Sequence, residues 1–220
     1  MSAEVPGLHW SSASALRAVA EGGCVLDAPV VAVLPWVRRE AAQRAARLMI
    51  ARAGVALQVL AVQDDAGLGP VAIWNLALRR TCGAFFLYVA EDAFAGRLWL
   101  RFALQALQAK PQAGLVAFND GKWFGQLAGF GLVRRSWLQP LYGGDLFFPG
   151  YARHYGDTEL TLIARQQDAL AYHPHAVLVE VDDEKDGKPV DEADRALFRQ
   201  RAAQGFNGRV VDKGLLASFG

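Results

Sequence analysis

The sequence predicts an α/β domain built on a mostly parallel central sheet with helices on both faces. Short β-branched apolar runs alternate with stretches rich in Ala, Leu and Arg, the pattern of strand–helix–strand units. Glycine or proline marks most of the changeovers, and acidic or amide residues follow three of the first four apolar runs. At 220 residues the chain has the length of one domain and can bury a substantial core without metal or disulfide staples.

Residues 29–34 form a short apolar run that reads as a strand buried on both faces, ended by Pro35, which has no N–H for a ladder. Residues 38–53 read as a helix closed by Gly54, and residues 55–62 as a second strand running into the turn-rich stretch 63–70. Residues 71–81 have helical composition, 85–89 form a third strand, 97–110 an amphipathic helix and 115–118 a fourth strand. The second half is less regular. It reads as a strand over 127–133 and a short helix over 136–141. A Gly- and aromatic-rich loop follows over 143–156, then a helix over 157–167, a strand over 176–181 and a charged loop over 182–191. A helix over 190–204 and a loose tail over 205–220 complete the chain. Near the start, residues 13–21 read as a helix packed on the outside. The expected organisation is an appendage (1–28), a main domain (29–205, with halves 29–120 and 121–205) and a tail (206–220).

The formal net charge of +1, from 23 basic and 22 acidic residues, gives no bulk reason to expect nucleic acid as a partner. No run is long enough to span a bilayer, and residues 1–9 lack a basic segment followed by an apolar one, so a cytoplasmic protein is expected. Cys24 and Cys82 are too few and too far apart for a disulfide framework or zinc site, and both are expected as reduced core residues. No Gly-x-Gly-x-x-Gly follows the first strand, and neither a Walker A sequence nor a Gly-x-Ser-x-Gly elbow occurs. Dinucleotide dehydrogenases, P-loop ATPases and α/β-hydrolases are thereby disfavoured.

Ligands of open α/β sheets bind at the carboxyl ends of the strands. Those ends carry Pro35 and Trp36, Asp64 and Asp65, Glu91 and Asp92, and Asn119 and Asp120. Acids gathered on one edge repel unless a cation or hydrogen-bond donors neutralise them, and a divalent metal shared with a diphosphate is one solution. Turn formation and helix capping are the plain alternative for each one alone.

The order of these motifs resembles the family 2 glycosyltransferases, which have a GT-A fold, over about residues 30–201. Residues 31–39 (Val-Ala-Val-Leu-Pro-Trp-Val-Arg-Arg) look like the family's opening strand and turn, with Pro35 and Arg39 the matching positions. Residues 62–67 (Val-Gln-Asp-Asp-Ala-Gly) are similar to the segment whose Asp bonds the nucleotide base, a role that falls to Asp64 or Asp65. Asn75 and Gly83 match the stretch leading to the family's Asp-x-Asp acids. There Ala90 replaces the first Asp, leaving Asp92, supported by Glu91, as the implied ligand for Mn or Mg. Residues 127–137 resemble the strand and helix of the acceptor side. Residues 154–165 are similar to the start of the family's catalytic helix, with Asp157 in the position of the base and Gly156 where a first acid is common. The family's late His falls near Val181, with Asp182 or Asp183 as substitutes. Trp123 and Tyr151 lie among glycines and are expected to line the acceptor site.

The resemblance implies inverting transfer of a sugar from a nucleoside diphosphate sugar to a glycan or other hydroxyl acceptor. A metal would stabilise the diphosphate leaving group, and Asp157 would take the acceptor's proton. A degenerate relative that binds nucleotide or glycan without turnover is the alternative. Nucleotidyltransferases and methyltransferases rank lower, because residues 34–39 contain no glycine. His173 and His175 invite a metal reading, and the pairs Arg79–Arg80 and Arg134–Arg135 a phosphate reading; solvated loops and helix faces are the commoner use of such residues.

Overall fold

A computed structural model describes residues 5–181 and 190–219. The elements run β1 (Leu8–Ser12), α1 (Ala13–Ala18), β2 (Leu26–Asp27), β3 (Val30–Trp36), α2 (Arg39–Arg52), β4 (Gln58–Gln63), α3 (Pro70–Arg80), β5 (Thr81–Cys82) and β6 (Phe85–Tyr88). They continue with β7 (Ala93–Ala95), α4 (Trp99–Ala109), β8 (Leu115–Asn119), β9 (Gly131–Arg134), α5 (Arg135–Leu138), α6 (Gly156–Gln166), β10 (Leu170–Glu180), α7 (Glu192–Ala203), α8 (Gly205–Gly208) and α9 (Lys213–Ala217).

The main sheet has the order β1-β4-β3-β6-β9-β8-β10-β7. The pairs β1–β4, β4–β3, β3–β6 and β8–β10 are parallel. Strand β9 runs antiparallel between β6 and β8, and β7 antiparallel on β10. The period-2 alternation of side chains divides the core in two. Val31, Val33, Phe86 and Tyr88 face the layer containing α3 and α6. Val30, Ala32, Leu34 and Leu87 face the layer containing α2 and α4. That two-sided burial is why the central strands read as unbroken apolar runs.

Several boundaries differ from the sequence reading for identifiable reasons. Strand β3 continues through Pro35, which pairs with Val62, to Trp36. Its pairing to β6 stops at Val33, so the missing proline N–H points to a side with no ladder to join. The first helix is shorter than expected, and an edge strand, β1, precedes it. The stretch after residue 205 is not loose: Phe206 and Val210 are buried, α8 is a tight turn with Phe206 and Asn207 in the left-handed region, and α9 is a short helix. Strand β10 begins six residues earlier than expected, with a register irregularity between Tyr172 and Val177 around Pro174.

The cysteine expectation is overturned. A disulfide joins Cys24 and Cys82, whose Cα atoms are 6.1 Å apart, and neither residue is in the core. The small sheet of β2 on β5, with Val25 N–H donating to Arg80 O, brings these residues together across 58 positions. Among the described residues no helix is long and apolar enough to cross a membrane.

Candidate functional site

Because β3, β4, β6 and β8 share one direction, their carboxyl ends lie along one edge of the sheet, as the sequence order requires. Most of the acids there are neutralised by the chain's own donors. Asp64 accepts from Leu68 N at 2.8 Å and Gly69 N at 3.0 Å, closing the loop before α3. Asp65 accepts from Ser14 N at 3.0 Å, in the first turn of α1, and that bond lowers its pKa. Glu91 accepts from Val37 N at 3.0 Å and Arg38 N at 2.9 Å through one oxygen and from Arg38 Nε at 2.7 Å through the other. Asp120 accepts from Lys122 N and Trp123 N. Hydrogen-bond donors, the second of the two solutions to acid repulsion, thus account for much of this edge.

Asp92 and Asp157 occupy a different setting. Asp92 is half-buried just beyond β6, and its carbonyl accepts from Val181 N at 3.0 Å. The β10–β7 register puts Glu180 opposite Ala93, so the end of β10 lies beside Asp92. Asp157 is the second residue of α6, whose cap is Tyr155. Its Oδ1 accepts from Thr158 N at 2.8 Å, and its Oδ2 lies 3.9 Å from where a Cβ on Gly129 would stand. Burial of the carboxyl group raises its pKa from 3.8 to about 6; the Thr158 and Asp157 amides oppose the rise, and the charge of Glu180 adds to it. Part of the residue still reaches the surface.

The first turn of α6 is tied to the sheet through Ala128. Tyr88 Oη donates to Ala128 O at 2.6 Å, Ala128 N donates to Thr161 Oγ1 at 3.1 Å, and Thr161 Oγ1 donates to Asp157 O at 2.7 Å. A Cβ at Gly131 would come 2.4 Å from Tyr88 Oη, so glycine is required there for this contact. Burial, with the nearby Asp157 charge, keeps the Tyr88 phenol protonated well above its ordinary range.

Two other expected contact residues lie in the interior. Asn75 is buried; its amide accepts from Leu146 N at 3.0 Å and Phe147 N at 2.9 Å and donates to Phe147 O at 3.0 Å. It fixes the Gly- and aromatic-rich loop so that Phe147 packs edge-on to Trp74 and Tyr88. Tyr151 is buried with its hydroxyl on Glu159 at 2.8 Å. Glu159 also accepts from Tyr142 and, through both oxygens at 2.6 and 2.7 Å, from Arg201. Asp194 holds the chain just ahead of α6, accepting from the backbone N–H of Ala152, Arg153 and His154 at 2.8–2.9 Å. Trp123 remains partly exposed, with Phe219 against its ring. Pro35 is half-buried at the end of β3.

Sequence reasoning missed Glu180, although its place at the end of an apolar run carried the same signal as the other strand-end acids. Asp182 and Asp183 lie outside the described residues. His173 and His175 stand against Phe102. The paired arginines serve the fold: Arg79 pairs with Asp145, Arg80 donates to Leu16 O, Arg134 to Ala113 O, and Arg135 to Leu78 O and Thr81 Oγ1. Among the described residues no three His, Cys, Asp or Glu side chains gather as a metal-holding group. A cavity of about 420 Å³ lies around Arg165, Asp168 and Asp212, roughly 12 Å along α6 from Asp157.

Solved structures share this architecture. A mannosyltransferase, PcManGT from Pyrobaculum calidifontis in complex with GDP-Man and Mn2+, matches with a TM-score of 0.55 at 17% identity, over 84% of this chain and 64% of that one. TarS 1–349 from S. aureus in complex with UDP-GlcNAc matches at 0.62 and 15%, over 87% and 71%. Glucosyl-3-phosphoglycerate synthase from Mycobacterium tuberculosis, in complex with Mg2+ and UDP, matches at 0.51 and 14%, over 84% and 81%. The chain spans just under two thirds of the length of the mannosyltransferase. No protein-family model matches the chain, and no curated protein matches it in sequence. The fold is of the GT-A type expected from the sequence.

Proposed function

We propose that this chain is a glycosyltransferase that takes a sugar from a nucleoside diphosphate sugar and passes it, with inversion, to a hydroxyl acceptor. The observation that carries the reading is Asp157, a carboxyl group held at the start of α6 with its pKa raised to about 6. A base whose pKa lies near the working pH combines a large ionised fraction with useful proton affinity. The N-terminus of α6 favours its ionised form, and the surrounding burial keeps it basic. Asp157 takes the acceptor's proton as the hydroxyl attacks the anomeric carbon and the bond to the diphosphate breaks.

The donor lies along the carboxyl ends of β3, β4 and β6. Pro35, Asp64 and Asp65 face its nucleotide; Asn75 serves the same site from the interior by setting the 146–147 backbone. Tyr151 likewise acts through the Glu159 network, and Trp123 meets the acceptor. A single carboxylate plus substrate phosphates suffices for an ion such as Mg2+, so a site without three protein ligands still fits one. Asp92 would hold it, with Glu91 in support through the Val37–Arg38 turn. When bound, the metal supplies charge stabilisation to the diphosphate.

A second reading, a binder without turnover, is favoured by Ala90 in place of an acid and by the commitment of Glu91 to the Val37–Arg38 turn. Release of nucleoside diphosphate from a panel of UDP- and GDP-sugars, with and without Mn2+, separates the two. Turnover that falls about 10²- to 10⁴-fold in Asp157→Asn is expected. No release from any donor, or release untouched by Asp157→Asn, overturns the catalytic reading.

A further inference from the structure

A cavity of about 230 Å³ adjoins the start of α6, lined by Tyr155, Arg195, Phe198, Arg199 and Phe219. Sites that enclose whole drug-sized ligands run to about 300–1,000 Å³, so this one suits one end of a molecule. The rings of Tyr155 and Phe198 stack at 4.7 Å and form an aromatic floor. Arg195 and Arg199 stand four residues apart on α7, and therefore on one face. Arg195 Nε reaches Tyr155 Oη at 3.4 Å, and its other contact is an exposed pair with Glu192 at 2.8 Å. Among the described residues Arg199 makes no hydrogen bond or ion pair. Two like charges beside an apolar floor are best satisfied by a shared anion, and guanidinium groups bind phosphate and carboxylate through paired N–H donors.

The backbone connects this cavity to the proposed base. Tyr155 sits in the left-handed region at φ 68°, ψ −10°, a conformation that non-glycine residues rarely adopt. That bend lays its ring on Phe198 and leads directly into Gly156 and Asp157. One residue, Gly156, separates Tyr155 from Asp157, so their Cα atoms lie within about 7 Å. On the far side, Phe219 contacts Trp123 at 5.7 Å, extending the aromatic wall to that partly exposed ring.

We infer that this cavity is an acceptor subsite for a negatively charged group, so that the acceptor is an anionic, phosphate- or carboxylate-bearing sugar. The anion sits between Arg195 and Arg199, the sugar lies against the aromatic wall, and a hydroxyl is left beside Asp157. This assignment rests on the transferase reading above.

The test follows the ring resonance of Tyr155 in protein labelled at its tyrosines, titrated with glucose, glucuronate and glucose 6-phosphate; UDP and GDP are titrated in parallel. Glucose 6-phosphate, glucuronate or both are expected to shift Tyr155 at concentrations where glucose does not, and the responding sugar identifies the anion. Arg195→Gln/Arg199→Gln is expected to weaken that binding at least about tenfold with nucleotide binding unchanged; Arg199→Glu alone, a surface change, is expected to do the same. Equal responses to glucose and the charged sugars, no response of Tyr155 to any of them, or undiminished binding by both variants overturns the inference. Nucleotide binding without an anionic-sugar response sinks the subsite and leaves the donor reading standing. An Arg-dependent sugar response without nucleotide binding sinks the donor reading and leaves an anion site.

Discussion

Replacing Asp157 with Asn is expected to stabilise the protein while removing the proposed base. The folded pKa is raised from 3.8 to about 6, so at neutral pH the fold carries an ionised group that its surroundings disfavour. At 1.36 kcal/mol per pKa unit the penalty is about 3 kcal/mol. Asn retains the Oδ1 acceptor that Thr158 N now uses. The sign fixes the pH window. Below about pH 3 folded and unfolded chains are both protonated, and the ionisation of Asp157 adds no difference between wild type and variant. From about pH 3 to about 6 the unfolded chain ionises first, so this group's contribution makes wild-type stability fall as pH rises. Above about 6 the difference levels off. For a domain of this size, 3 kcal/mol corresponds to about 6–12 °C in melting temperature. Urea unfolding of both proteins between pH 4 and 8, with a chelator present, measures the gap. A variant less stable than wild type at pH 7, or a gap independent of pH, would falsify the account of Asp157 as an enclosed, disfavoured carboxylate.

Two further outcomes concern what holds the site in place. Arg201→Met leaves Glu159, which is fully buried, without its bidentate partner and is expected to cost about 3–5 kcal/mol. Urea unfolding reads the loss, and the double variant Glu159→Leu/Arg201→Met should recover part of it. The Cys24–Cys82 disulfide closes a loop of sequence separation 58, worth up to about 4 kcal/mol in the chain-entropy account. Dithiothreitol should lower the melting temperature of wild type but not of Cys24→Ser; two titratable thiols in air-oxidised native protein would contradict the pairing.

The sequence made the central alternation legible because β3, β4, β6 and β8 are buried on both faces and their apolar runs are continuous. It concealed β1, whose Leu-His-Trp-Ser-Ser is held by its neighbour β4 rather than by its own pattern, and β7, which has only three residues. Pro174 and its flanking histidines masked the first half of β10. At the site, strand-end position correctly gathered the acids on one edge but did not reveal what each acid does there. Glu91 is engaged by backbone more than 50 residues away, and Asn75 by a loop 71–72 residues away. Such partners leave no local trace in sequence. The position of Asp157 near the N-terminus of a helix was legible because it is local; its raised pKa was not, since that comes from tertiary enclosure.

The central claim is that the carboxyl edge of β3, β4 and β6 binds a nucleoside diphosphate. Its most direct measurement is the melting temperature of wild type and Asp92→Ala against UDP and GDP, with and without Mn2+. Ligand at a hundred times its Kd should add about 2.7 kcal/mol to stability. The account predicts stabilisation by at least one nucleotide, a further rise with Mn2+, and loss of the Mn2+-dependent part in Asp92→Ala. No shift with either nucleotide at millimolar concentration would contradict it.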